Sequence, residues 1–233
     1  MRELKRREIT LAASVSCFNL YNIESQMSQV EEAGIDLLHF DVVDGKFNDC
    51  IILGTPTLKA LRPHTSLPVE VHLGAFEPEK FIRQLVDAGA DYIAVHYEVM
   101  QEPEKIFEQI LNAGAKPILA LRAETDIDEG LARLLPLVDW VVKLTVNPGY
   151  SGQAFKAETI EKIKNLRRVI KQAGLNTGIE ADGNINPKTI PAVVTAGADM
   201  LTGGTSGLFL ENKSIREAAS EMRSAAYSFI LAG

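Results

Sequence analysis

The chain has only two cysteines, one tryptophan and four histidines, and aromatic residues make up 6% of it. Cys17 and Cys50 stand far apart with no CxxC spacing, which argues against both a disulfide framework and a thiolate zinc site. There is no apolar stretch of membrane-spanning length. The charged start, Met1-Arg2-Glu3-Leu4-Lys5-Arg6-Arg7-Glu8, has no signal-peptide core behind it, so a cytoplasmic protein without membrane association is expected. An excess of positive charge is also missing. The formal net charge of −7 argues against broad nucleic-acid binding, and any phosphate bound here must be met by local backbone amides. The 233 residues, 46% hydrophobic and 24% charged with no low-complexity tract, are expected to form a single domain over 1–233.

What is present is a repeated phrase. Ala-Gly occurs at 33–34, 88–89, 113–114, 173–174 and 196–197, each time after an amphipathic stretch and before an apolar run. Glycine supplies the left-handed residue that ends a helix, so each phrase reads as a helix stop followed by a strand. Strands are expected at 9–15, 35–41, 68–73, 91–96, 117–121, 138–145, 177–182 and 198–203. Helices are expected at 23–33, 78–88, 103–113, 157–173 and 187–196, with Pro78, Pro103 and Pro187 in first turns and a closing helix at 215–230. Strands alternating with helices and no linker between them predict a (β/α)8 TIM barrel. An open doubly wound sheet competes, but no GxGxxG follows the first strand.

His39, Asp41, His72 and Asp182 each close one of these apolar runs. Side chains alternate along a strand, so His39 and Asp41 face the same way. Barrel active sites gather at the C-terminal strand ends, where all four residues fall. Two imidazoles and two carboxylates suit one divalent ion per subunit, of the Zn, Fe(II), Mn or Co(II) type. A lone strand-end histidine is usually a hydrogen-bonded core residue. Here, however, three of the four histidines (His39, His72 and His96) sit at such ends. His96 is assigned a supporting rather than a ligating role, and His64, in a turn-like Arg-Pro-His, is assigned to the surface. Two aspartates sharing a cation are suited to moving a proton off and back onto a carbon beside a carbonyl, through a metal-stabilised enediolate. Each acid-base step is worth on the order of 10²- to 10⁴-fold.

Glycine-rich turns follow the sixth, seventh and eighth expected strands: Asn147 to Gln153, Gly183-Asn184, and Gly203 to Gly207. A single glycine turn is usually only a turn. Three in consecutive loops of a barrel favour a phosphosugar substrate.

These residues resemble the ribulose-phosphate 3-epimerase family over nearly the whole chain. The resemblance is carried by Ser14-Val15, HFDVVDGKF (39–47), VHLGAFEPEKF (71–81), AGADYIAVHYE (88–98), LTVNPGYSGQAF (144–155), IEADGNINPKT (179–189) and AGADMLTGGTSGLF (196–209). It implies a barrel that binds a divalent metal through His39, Asp41, His72 and Asp182 and epimerises a ketose phosphate at C3, with Asp41 and Asp182 as the acid/base pair. It further implies substrate contacts at Ser14, His72, Gly152, Gly183, Asn184, Gly204 and Thr205, and a homo-oligomer.

The departures from the family pattern concern the substrate. Val43, Gly74 and Leu144 stand where the family usually has methionines, and Gly74 is expected to leave a gap for a different or larger sugar. The family's FVPN is Phe47-Asn48-Asp49-Cys50 here, and its double glycines are Ser151-Gly152 and Gly183-Asn184. Cys17 and Gly204 to Phe209 look more like the allulose-6-phosphate 3-epimerase branch. D-Ribulose 5-phosphate is the expected substrate, with D-allulose 6-phosphate, converted to D-fructose 6-phosphate, as the alternative. A decarboxylating relative would carry DxKxxD where Asp41-Val42-Val43-Asp44 stands. A sugar-phosphate binder without catalysis is the third reading. Lys143 is expected to point away from the lumen as a solvated or snorkelling side chain.

Overall fold

In the computed structural model, which describes residues 1–5, 7–149 and 152–230, all five helix-stop glycines have left-handed backbone. Gly34, Gly89, Gly114, Gly174 and Gly197 have φ of 70°, 112°, 102°, 66° and 114°. Each stop turns the chain into the next strand. The elements run β1 (Thr10–Ser14), α1 (Ile23–Glu32), β2 (Leu37–Asp44), β3 (Ile51–Ile52), α2 (Thr55–Leu61), β4 (Val69–Gly74), α3 (Ile82–Ala88), β5 (Tyr92–His96) and α4 (Pro103–Ala113). They continue with β6 (Lys116–Leu121), α5 (Glu129–Leu134), β7 (Trp140–Leu144), α6 (Thr159–Gln172), β8 (Gly178–Asp182), α7 (Ile190–Ala196), β9 (Met200–Gly203) and α8 (Ile215–Ile230).

Eight strands pair in parallel in the order β1-β9-β8-β7-β6-β5-β4-β2, and a β1–β2 pairing closes the ring. The chain is therefore a (β/α)8 barrel. Alternation divides its side chains. Ala12, Leu37, Tyr92, Ala94, Ile118, Ala120, Trp140, Val142 and Met200 fill the lumen, with Leu4 packed against them. Residues such as Leu38, Phe40, Val71, Ile93 and Ile179 point outward into a larger core shared with the helices. No helix among the described residues is long and apolar enough to cross a membrane.

Three local features differ from expectation. The two-residue strand β3 pairs antiparallel with the end of β2 and brings Ile52 over the cleft. Helices α2 and α5 are additional to the expected set; at seven and six residues they are short, and unlike the equally short α3 and α7 neither ends at an Ala-Gly stop. Finally, Pro78 lies in a separate short 3-10 turn and Pro187 precedes α7, so only Pro103 occupies the first turn of its α-helix as expected. Before α7, Asn186 and Thr189 form a hydrogen-bonded turn of their own. The Asn186 N–H donates to Thr189 Oγ1 at 3.0 Å and the Lys188 N–H to Asn186 Oδ1 at 3.0 Å.

Candidate active site

The parallel register places Asp41 opposite His72 and Leu144 opposite Asp182, while Ser14 lies opposite His39. His39, Asp41, His72 and Asp182 thereby meet at the C-terminal mouth of the lumen, with their ligand-capable atoms all within 4.8 Å of one another. His39 Nε2 is 3.2 Å from Asp41 Oδ1 and 3.6 Å from Asp182 Oδ2. His72 Nδ1 is 3.5 Å and 3.7 Å from the same two oxygens, and 3.2 Å from His39 Nε2. His39 is fully buried as the floor of the site. Asp41, His72 and Asp182 line an open cleft at the barrel mouth.

Supporting groups hold these four side chains. The outer oxygen of Asp41, Oδ2, accepts from Ser14 Oγ at 3.1 Å and Ser16 Oγ at 2.7 Å, so Oδ1 is the one turned to the imidazoles. Beneath them, His39 Nδ1 faces Glu180 Oε1 at 3.1 Å, and Thr202 Oγ1 donates to that same oxygen at 2.5 Å. Glu70 lies beside Glu180, and both are completely buried. On the other side, His72 Nε2 is 2.9 Å from His96 Nε2, whose Nδ1 is 3.2 Å from Glu98 Oε2. Ser16, Glu70, Glu98 and Glu180 are not picked out by the sequence reading. A signal was available, since Glu70 and Glu180 precede His72 and Asp182 by two residues and so share their face of the strand, and Glu98 follows His96 at the His39–Asp41 spacing.

Electrostatics separates the carboxylates by role. Burial raises the Asp41 pKa, but His39 and His72 outweigh it and hold Asp41 well below the ordinary carboxylate range. Burial, helped by the charge of Asp41 against the pull of His39, lifts Asp182 to about 6. For His39, burial lowers the pKa, yet the charges of Asp41 and Asp182 together raise it well above the usual imidazole range. Burial and the neighbouring charge of Glu180 push Glu70 up strongly, while the His39 contact outweighs burial and holds Glu180 down. Shifts in opposite directions let two acids share a dry lumen, Glu70 favouring the uncharged form and Glu180 the charged one.

The donor set fits a divalent cation. Glu180 is placed to accept the His39 Nδ1 hydrogen, so the Nε2 proton is the one a cation would displace on the cleft side. Two nitrogens and two carboxylate oxygens then converge, a mixture that suits Zn, Fe(II), Mn or Co(II).

The glycine-rich turns reach the same cleft. Gly152, Gly183, Asn184, Gly204 and Thr205 all line it, as does Ser14. Gly183 has φ of 116°, and a Cβ there would stand 2.5 Å from Val146 Cγ2, so no larger residue fits directly after Asp182. Asn184 is left-handed at φ 52°, and its Nδ2 donates to the Gln153 carbonyl at 2.8 Å, tying two of the turns together. Tyr150 and Ser151, in the middle of the first turn, lie outside the described residues.

Two expectations about neighbouring residues are corrected. Gly74 leaves no gap, because Phe47 occupies its space: a Cβ on Gly74 would meet Phe47 Cδ1 at 2.9 Å and Val43 Cγ2 at 3.3 Å. Lys143 does point away from the lumen, but it is neither solvated nor snorkelling. It is 1% exposed, and Nζ donates to the carbonyls of Arg122 at 2.5 Å and Thr125 at 2.7 Å. His64 is exposed, as expected.

Comparison with known proteins gives the family and the fold. The sequence model of the Ribulose-phosphate 3 epimerase family matches residues 10–209. The chain is 36% identical over 202 residues to a protein of Arabidopsis thaliana named ribulose-5-phosphate-3-epimerase, chloroplastic, a match covering 86% of this chain and 72% of that one. It is also 36% identical over 219 residues to a ribulose-phosphate 3-epimerase of Methanocaldococcus jannaschii, covering 91% and 92%. Among solved structures, 3-hexulose-6-phosphate synthase from Salmonella typhimurium superposes with a TM-score of 0.65 at 17% identity, covering 95% of this chain and all of that one, a likeness of fold alone.

Proposed function

The chain belongs to the ribulose-phosphate 3-epimerase family and is an isomerase of the epimerase kind, and on that premise we propose that it interconverts D-ribulose 5-phosphate and D-xylulose 5-phosphate by two-base proton transfer at C3. The observation that carries this reading is the pair Asp41 and Asp182, which enter one cleft from different sides of the ring with unequal proton affinities, Asp41 held well below the ordinary carboxylate range and Asp182 raised to about 6. The ionised Asp41 takes the C3 proton from one face, and the electron pair moves into the adjoining carbonyl. Asp182, able to hold a proton near neutrality, returns one to the opposite face, so the stereocentre inverts. In the reverse direction the two exchange roles.

His39, Asp41, His72 and Asp182 would hold the divalent ion. When bound, it supplies positive charge that stabilises the developing enediolate oxygens and offsets the repulsion between the aspartates. Ser14, which lines the cleft beside Asp41, would meet a sugar hydroxyl. Gly152, Gly183, Asn184, Gly204 and Thr205 line the cleft and would meet the phosphate, largely through backbone N–H groups, in keeping with the acidic chain. Phe47 filling the space over Gly74 favours the five-carbon substrate over the six-carbon one.

The test is proton NMR in D2O with D-ribulose 5-phosphate and D-allulose 6-phosphate, using protein supplied separately with Zn, Fe(II), Mn or Co(II). Loss of the C3 proton signal of the pentose phosphate with appearance of its epimer is expected. Asp41→Asn and Asp182→Asn should fold and lose turnover by on the order of 10²- to 10⁴-fold. Near-normal rates in either variant would overturn the two-base assignment, and faster turnover of D-allulose 6-phosphate would overturn the choice of sugar.

A further inference from the structure

A histidine can ligate a cation only through a ring nitrogen that carries no hydrogen, so a centre containing His39 and His72 must fix the tautomer of each. For His39 this is done directly by Glu180 at Nδ1. His72 has no carboxylate behind it. Its Nδ1 is the nitrogen turned toward Asp41 and Asp182, and its Nε2 meets another imidazole, His96, at 2.9 Å. Across such a contact one nitrogen donates and the other accepts, and the two rings alone do not decide which.

Glu98 decides it. Its carboxylate only accepts, so the hydrogen of His96 is drawn to Nδ1, 3.2 Å from Glu98 Oε2. A neutral His96 with its hydrogen there has a bare Nε2, which accepts from His72 Nε2–H. His72 Nδ1 is then bare and faces the two aspartates. The relay is also held rigidly. Glu98 Oε1 accepts from the Arg122 N–H at 2.8 Å and from the Thr125 hydroxyl. The His96 ring is 1% exposed and lies against Phe47, with centroids 4.6 Å apart, and the Arg122 guanidinium stands 4.5 Å from the centroid of the Phe47 ring.

We propose that Glu98 and His96 form a hydrogen-bonded relay that locks His72 in the tautomer able to ligate through Nδ1, which makes both of them positioning residues of the centre, acting through His72. The proposal rests on the metal-binding reading given above. It also assigns the two imidazoles opposite nitrogens, Nε2 for His39 and Nδ1 for His72, with a carboxylate at the far end of each chain.

The relay is tested with Co(II), by chelator competition and by the visible absorption of the bound ion. His96→Phe keeps a ring of similar volume but no acceptor. It should fold and bind Co(II) about 10- to 100-fold more weakly, with a shifted absorption band, and His96→Gln, which restores an acceptor oxygen, should recover much of the affinity. In the unaltered protein, imidazole nitrogen-15 shifts should place the hydrogen of His72 on Nε2 and that of His96 on Nδ1, a reading that needs no variant to fold. A folded His96→Phe with unchanged Co(II) affinity and spectrum, or a His96 hydrogen found on Nε2, would overturn the relay while leaving the metal-binding reading intact. An unaltered protein that takes up no Co(II) would overturn that reading and the relay with it.

Discussion

Glu180 Oε1 lies 3.1 Å from His39 Nδ1 in the closed interior of the barrel, where neither side chain reaches solvent. The contact sets the direction of the whole site. It commits Nδ1 as a donor, so His39 Nε2 is what the cleft receives. Glu180→Gln keeps the shape and an acceptor oxygen but removes the charge that holds His39 in place. It is expected to lower divalent-metal affinity by about 10- to 100-fold with the fold retained. Glu70→Gln should change affinity far less, because burial and the charge of Glu180 already favour the uncharged form of Glu70. Chelator competition on both variants checks this, and equal losses would show that the two acids are not distinguished.

His96 and Glu98 should each give the metal-free protein a share of stability that acid removes, in two separate pH windows. Burial lowers His96 from 6.5 to about 4 despite the opposing pull of Glu98, so between those values the unfolded chain binds a proton that the folded one does not. The His96 share of stability therefore falls as pH drops from about 6.5 toward 4 and levels off below, while Asp182, raised from 3.8 to about 6, contributes in the opposite sense over nearly the same window. Burial raises Glu98, but His96 and its other partners outweigh it and bring the group from 4.5 to about 2, so its share is present above 4.5 and lost as pH falls toward 2. Each contributes at most on the order of 3 kcal/mol, and because they share one hydrogen bond the two do not simply add. Urea denaturation between pH 7 and 3 measures the profile, and His96→Phe should abolish the upper share.

The barrel was legible in the sequence because its signals repeat. Each Ala-Gly stop marks a helix end by backbone conformation, and Gly34, Gly89, Gly114, Gly174 and Gly197 all adopt the left-handed φ that this requires. The four ligand candidates were legible because imidazoles and carboxylates at the ends of apolar runs are conspicuous. Glu70 and Glu180 were not, because a carboxylate inside an apolar run looks like the polar half of an ordinary strand until the ring closes and both faces prove buried. The packing of Phe47 over Gly74 was hidden for another reason: residues 47 and 74 meet only through tertiary structure, and a glycine read alone suggests space.

That packing makes Gly74 a sensitive position. Gly74→Ala places a Cβ 2.9 Å from Phe47 Cδ1, and the ring, which also packs on His96 and Arg122, must shift. A cost of about 1–3 kcal/mol is expected from overpacking. Phe47→Leu made in the same background should recover part of it, giving a favourable coupling in a double-mutant cycle measured by urea denaturation. Additive effects would mean that Phe47 does not oppose a side chain at 74.

Lys143 carries the remaining test, because its buried ammonium pins the loop that holds Glu98. Nζ donates to the carbonyls of Arg122 and Thr125, whose N–H and hydroxyl in turn donate to Glu98. Lys143→Met retains the apolar stem and leaves both carbonyls without that partner, at an expected cost of about 2–3 kcal/mol. The pH dependence separates this from a simple packing loss. Burial, with the charge of Lys162, lowers Lys143 from 10.5 to about 8, so between those values the unfolded chain binds more protons and the native protein gains stability as pH rises. Lys143→Met has no such group, and its deficit should widen from pH 8 to 10. A deficit that stays constant over that range would mean that the ammonium is not held at a cost in the folded chain.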